Sequence, residues 1–184
     1  MKKLVILLFV VVLMAMSIAP VGAAEPVKVG VMQIVDHPAL NAARDGLRDA
    51  LKEVYGFIPD QNIVYDFQSA QGDVATANTI AQKFVSDKVD IIVSIATPTS
   101  QAAANATKDI PIVFSAVTDP ISAGLVKDNM KPGGNVTGVS DMTPVDKQIY
   151  LYKFLFPDAK NMGTIYNAGE VNSVVTNEYP SRPG

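Results

Sequence analysis

The chain has 184 residues, a formal charge of −3, no Cys, no Trp and a single His. The acidic balance counts against nucleic acid or an anionic membrane as the partner. The missing thiols exclude disulfides and a thiolate nucleophile, so the fold must rest on a packed core.

Lys2 and Lys3 precede an apolar run from Leu4 to about Ala19, followed by Pro20 and the small residues Val21-Gly22-Ala23-Ala24. This predicts a secretory signal peptide over residues 1–24, with Val21 and Ala23 meeting the small-residue cleavage rule. Those residues hold two lysines and no acid, so without them the charge falls from −3 to −5. A periplasmic or extracellular location follows as an expectation, and with no Cys at the processing site, no lipid anchor there. The remainder, about 160 residues, is enough for one ordinary domain, or one domain and part of another.

Val27-Lys-Val-Gly-Val-Met-Gln33 reads as the first strand. Asp36-His37-Pro38 leads into a helix, with Pro38 suited to its first position and Leu40, Ala43, Leu47, Leu51 and Val54 keeping a helical period. Gly56 suits the stop. Asn62–Phe67 alternates as a second strand, and Asp73 caps a second helix carrying Ala77, Ile80, Ala81, Phe84 and Val85. Asp90-Ile-Ile-Val-Ser-Ile-Ala-Thr-Pro-Thr-Ser100 is the pivotal stretch. Its β-branched run suits a strand buried on both faces. Thr97 is then expected as N-cap and Pro98 as first residue of a third helix ending near Thr107. Ile110–Ala116 predicts a fourth strand and Val136–Val139 a short fifth. Strands alternating with helices of this length imply an α/β lobe built on a doubly wound parallel sheet. Beyond Pro144 comes a helical segment with Ile149, Tyr150, Leu151, Phe154 and Leu155, then a strand at Met162–Tyr166 and a further βα unit from Asn172. Pro180-Ser-Arg-Pro-Gly184 is expected not to be helical. The divisions expected are residues 25–140 as a first lobe, and 141–184 as a hinge crossing and the incomplete start of a second.

In a parallel sheet, ligands bind outside the carboxyl ends of the strands. Thr97, Thr99 and Ser100 stand where a strand runs into a helix N-terminus, a place that suits a carboxylate or phosphate. The plainer reading is a helix cap beside surface residues. Gln33 and His37 end the first strand, where the amide can orient a polar ligand and the imidazole can meet ligand or a second lobe. A lone His is as readily a lead-in to the helix. Asp119 and Asp141 follow the fourth and fifth strands, and either could meet an ammonium group. Their plainer roles are a turn before Pro120 and a hinge cap.

Several long stretches in this order carry a family likeness: Gln33–Gly46, Gln71-Gly-Asp73, Thr79–Lys83, Ser86–Asp90, Ile95–Gln101, Asp109–Phe114, Val117–Pro120, Asn135–Asp141 and Ile165–Ser173. From about Val27 to Asn177 the chain resembles the periplasmic substrate-binding components of ABC transporters, in the branch linked to tryptophan and tyrosine uptake. The resemblance implies a two-lobed clamp with the ligand in the interlobe cleft, here a first lobe and only the opening of the second. It implies an amino acid-like ligand, an aromatic one favoured, and a membrane ABC permease as partner. It also implies that Tyr166, Asn167, Glu170, Asn172 and Ser173 face the ligand from across the cleft, with a hinge near Ser140 to Pro144. Two other readings stand beside it: a truncated, non-binding remnant, and a sensory ligand-binding domain of the same fold. An enzyme is disfavoured, with no G-x-S-x-G elbow and one His for any metal cluster. No cofactor, metal or nucleic acid is expected.

Overall fold

The computed structural model describes residues 25–178; the predicted signal peptide and the tail from Pro180 lie outside the described residues. Five strands form one parallel sheet: β1 (Val27–Gln33), β2 (Ile63–Ser69), β3 (Ile91–Ile95), β4 (Ile112–Val117) and β5 (Val136–Ser140). Their order is β2-β1-β3-β4-β5. Helices α1 (Pro38–Glu53), α2 (Val74–Ser86) and α3 (Thr97–Ala106) make the crossovers, and α4 (Val145–Leu155) and α5 (Val171–Glu178) follow the sheet. Strand order turns back at β1 and β3, which places the topological switch where Gln33 and Thr97 stand.

Helices lie on both faces. Leu40, Ala43, Leu47 and Leu51 of α1 pack on Val29, Val31, Ile63, Val93 and Ile95. On the other face Ala77, Ile80, Ala81 and Phe84 of α2 and Ala102, Ala103 and Ala104 of α3 cover Met32, Ile92, Ile112 and Phe114. The small residues of α3 let it sit close beside α2. Gly30 does similar work in β1, because a Cβ there would stand 2.7 Å from the Phe84 ring. Phe84 is fully buried in consequence, worth about 1.5–3 kcal/mol over leaving it exposed.

The first lead-in and cap are as expected. Pro38 opens α1 behind His37, and Asp73 caps α2 by accepting from the Thr76 N–H. Three boundaries differ. β2 runs on to Ser69, paired with β1 throughout its length, with Ser69 opposite Gln33. β4 starts after Pro111, which lacks the N–H a ladder needs but still offers its carbonyl to Ile92 N. At α3 the cap is Ala96, with φ 86° and ψ 158°, so Thr97 and Pro98 become the first two helical residues. The segment 162–166, predicted as a strand, forms no ladder, because a strand has no internal backbone bonds and none of the described residues pairs with it.

Candidate functional site

Everything that converges on the site comes from the carboxyl edge of the sheet. One register row crosses it: Ser69 of β2, Gln33 of β1 and Ile95 of β3 are aligned neighbours. A single residue, Ala96, then separates β3 from α3. Its backbone lies in a region almost reserved for glycine, at a cost of order 1–3 kcal/mol. The reversal lets α3 start directly over the strand end, with first-turn N–H groups that have no partner inside the helix.

Thr99 and Ser100 hold that turn together. The Thr99 hydroxyl lies 2.7 Å from the Ile95 carbonyl and 2.9 Å from that of Ala96. Ser100 Oγ donates to Ala96 O and lies 2.8 Å from Ser94 Oγ. Both residues are fully buried, so the structure gives their hydroxyls internal partners rather than the surface positions of the plainer reading. Thr97 is different. It is only 2% exposed, and its Oγ1 is buried with no hydrogen-bond partner. A buried hydroxyl in that state costs about 1–3 kcal/mol, which a bound acceptor would recover.

Gln33, 3% exposed, is the second such group. Its Nε2 donates to Asp36 Oδ1 at 2.7 Å and Asn41 Oδ1 at 2.8 Å, while Oε1 has no partner. Gln33, Asp36, Arg44, Val31, Phe67 and Ser69 line a recess of about 150 Å³. Ser69 Oγ is likewise buried and unpartnered. The Arg44 guanidinium lies 5.9 Å from the Phe67 ring centre and bonds Asp45, whose carboxyl it holds below the usual range.

His37 is exposed and its Nδ1 accepts from the Ala39 N–H, so the structure shows it as the cap of α1. Asp119 closes the turn after β4: Oδ1 accepts from the Ile121 and Ser122 N–H groups and Oδ2 from the Ser122 hydroxyl. Asp141 is exposed and its N–H donates to the Val117 carbonyl, beside the Ser140 hydroxyl bonded to Thr118 O. The predicted second-lobe residues divide. Asn167 and Glu170 bond each other, and Asn167 N bonds Ser173 Oγ. Glu170 shares a cavity of about 250 Å³ with Pro98 and Gln101 of α3. Tyr166 and Asn172 line a separate cavity of about 420 Å³ against α4. Gln33 and Thr97 thus stand at the carboxyl ends of adjacent strands, Glu170 meets α3 in a cavity that neither of them lines, and Tyr166 and Asn172 lie in another.

Ser69, Arg44, Asn41 and Ala96 were not singled out from the sequence. Carrying the β2 alternation two residues further would have placed Ser69 on the row with Gln33. Nothing in the residue type announces the positive φ of Ala96.

A family profile described as ABC transporter substrate binding protein matches residues 28–180. The Tyrosine-binding protein of Clostridioides difficile (strain R20291) is 54% identical over 147 residues, 80% of this chain and 42% of the relative. A conserved domain protein from Vibrio cholerae O1 biovar El Tor has the same architecture, with TM-score 0.82 and 49% identity over 85% of this chain and 53% of that one. An ABC domain from Streptococcus pneumoniae in complex with L-Trp gives TM-score 0.79 and 44% identity over 84% and 52%. The chain spans about half the length of these relatives.

Proposed function

The chain belongs to the ABC transporter substrate binding protein family, and from that premise we propose that it binds an amino acid at the carboxyl edge of its sheet, for delivery to a membrane ABC permease. The observation that carries this reading is Thr97: a buried hydroxyl without a partner, at the first turn of a ten-residue helix that begins directly at a strand end. A helix start and a free hydroxyl donor together suit a carboxylate.

The ligand's α-carbon then sits over β3. Its ammonium turns toward β4 and β5, where Asp119 and Asp141 supply negative charge, and its side chain turns toward Gln33. Residues 25–140 act as one lobe, Ser140 to Pro144 as the hinge, and the segment with Tyr166, Asn167, Glu170 and Asn172 as part of the opposing jaw. The cavity that Glu170 shares with Pro98 supports an approach of that segment to the site. The relatives' tyrosine and L-Trp favour an aromatic amino acid. Nothing in this reading requires turnover: the family is one of binding proteins. Residues 1–24 would direct export to the periplasm or the extracellular space.

The test is isothermal titration of the chain with the twenty amino acids, repeated with Thr97→Val. That substitution keeps the shape and removes the unpaired hydroxyl. It is expected to leave folding intact and to weaken binding by about tenfold or more, the worth of one hydrogen bond to a charged group. Unchanged affinity in Thr97→Val would dismiss the carboxylate site.

A further inference from the structure

We propose that the segment Met162–Tyr166 is an interface strand: two copies of this chain pair it antiparallel across a two-fold axis, and cover the apolar stripe of α4 in doing so. The inference concerns assembly and stands apart from the ligand reading above.

The first support is unmet backbone. The chain runs through residues 161–167 without helix or turn, and among the described residues no backbone hydrogen bond reaches Met162–Tyr166. Thr164 is tied through its hydroxyl to Asn177 of α5, which leaves its backbone open. The second is composition. Met162-Gly-Thr-Ile-Tyr166 carries Thr, Ile and Tyr, which favour strands, and none of the charges or prolines that blunt an exposed edge. The third is apolar surface. Ile165 is fully exposed, and Met162 and Tyr166 nearly half so. On α4, which walls the same cavity of about 420 Å³, Tyr150, Leu151, Phe154 and Leu155 are more than half exposed. At ~200 Å² for a large side chain, these residues leave roughly 800 Å² open. Burying about two-thirds of it on each copy reaches the ~1,000 Å² total of a specific dimer. The fourth is the choice of partner. Residues 145–166 hold three lysines and two aspartates, a near balance that neither selects an oppositely charged protein nor repels a second copy. A two-fold contact is self-complementary and sets identical strands antiparallel, so each copy supplies the donors and acceptors that the other lacks.

Sedimentation equilibrium of the chain and of Ile165→Pro tests this. The Ile165 N–H has no partner among the described residues, so proline takes no bond from the single copy, and an unchanged circular dichroism spectrum checks the fold. The variant is expected to weaken the dimer by at least about tenfold. The chain has no Cys, so single-thiol variants can map the axis. Gly163→Cys, Thr164→Cys and Ile165→Cys should form interchain disulfides on mild oxidation, most readily at the residue nearest the axis. Val139→Cys, on the open edge of β5, should not. A monomer at every concentration overturns the proposal and leaves the face to a different polypeptide. A dimer unmoved by Ile165→Pro, or cross-linked as readily through Val139→Cys, overturns it as well.

Discussion

Lys83 shows how single side chains tie this fold together. Its ammonium bonds Asp66 of β2 and lies 2.7 Å from Asp87, so it links α2 to the sheet edge. Burial alone would raise the Asp66 pKa, but the bonds from Lys83 and Gln68 outweigh it and lower the pKa below its ordinary value. The Lys83 ammonium is raised in turn by its bonds to Asp66 and Asp87. A depressed carboxylate stabilises the folded state fully above its unfolded pKa of about 3.9, and that contribution is lost as pH falls through the lower folded value. Urea midpoints for the wild type and Asp66→Asn are therefore expected to differ near pH 7 and to converge once the pH has fallen below the lowered folded value. A gap that persists unchanged in acid would show that Asp66 acts through packing instead.

Among the elements, β5 depends on a single missing atom. A Cβ at Gly138 would lie 2.1 Å from the Phe114 carbonyl and 2.6 Å from its ring, with backbone that has no room to yield. Gly138→Ala is expected to cost about 3 kcal/mol and to loosen β5 from β4, readable as a lower urea midpoint with slope retained. Gly30→Ala meets only the Phe84 ring, which can shift, so a smaller loss is expected there. The strands and crossovers were legible because β-branched runs such as Ile91–Ile95 and caps such as Asp73 act locally. The clustering of Gln33 and Thr97 at one edge was legible for the same reason, since strand ends fix it. Ala96 was not legible, because its left-handed backbone is imposed by the close β3–α3 junction and by the hydroxyls of Thr99 and Ser100. Nor was the unpaired state of Gln33 Oε1, which depends on Asp36 and Asn41 claiming the other end of the amide. The segment 162–166 misled for the opposite reason: its residues suit a strand, but a strand is a property of two segments.

At the scale of the whole molecule, burial is uneven. The sheet's two cores are sealed, whereas Tyr150, Leu151, Phe154, Leu155 and Phe156 on or just after α4, with Ile165 beyond, are exposed. Contiguous apolar surface of this kind promotes association and dye binding. The chain is expected to bind anilinonaphthalene sulfonate in its folded state and to show concentration-dependent self-association in sedimentation. Phe154→Lys with Leu155→Lys should reduce both without altering the sheet. Dye fluorescence unchanged in that double variant would place the exposed patch elsewhere.

Helix α1 carries no fully buried residue, although it covers one whole face of β1. A helix held by half-buried contacts opens more readily than the sealed strands beneath it. The Asn41 that fixes Gln33 lies in its first turn, with Asp36 in the lead-in, so every such opening also releases the amide. Rigidity at the recess is borrowed from a helix held only by half-buried leucines. Amide exchange in the first turn of α1 that is faster than in β1 beneath it would record that opening.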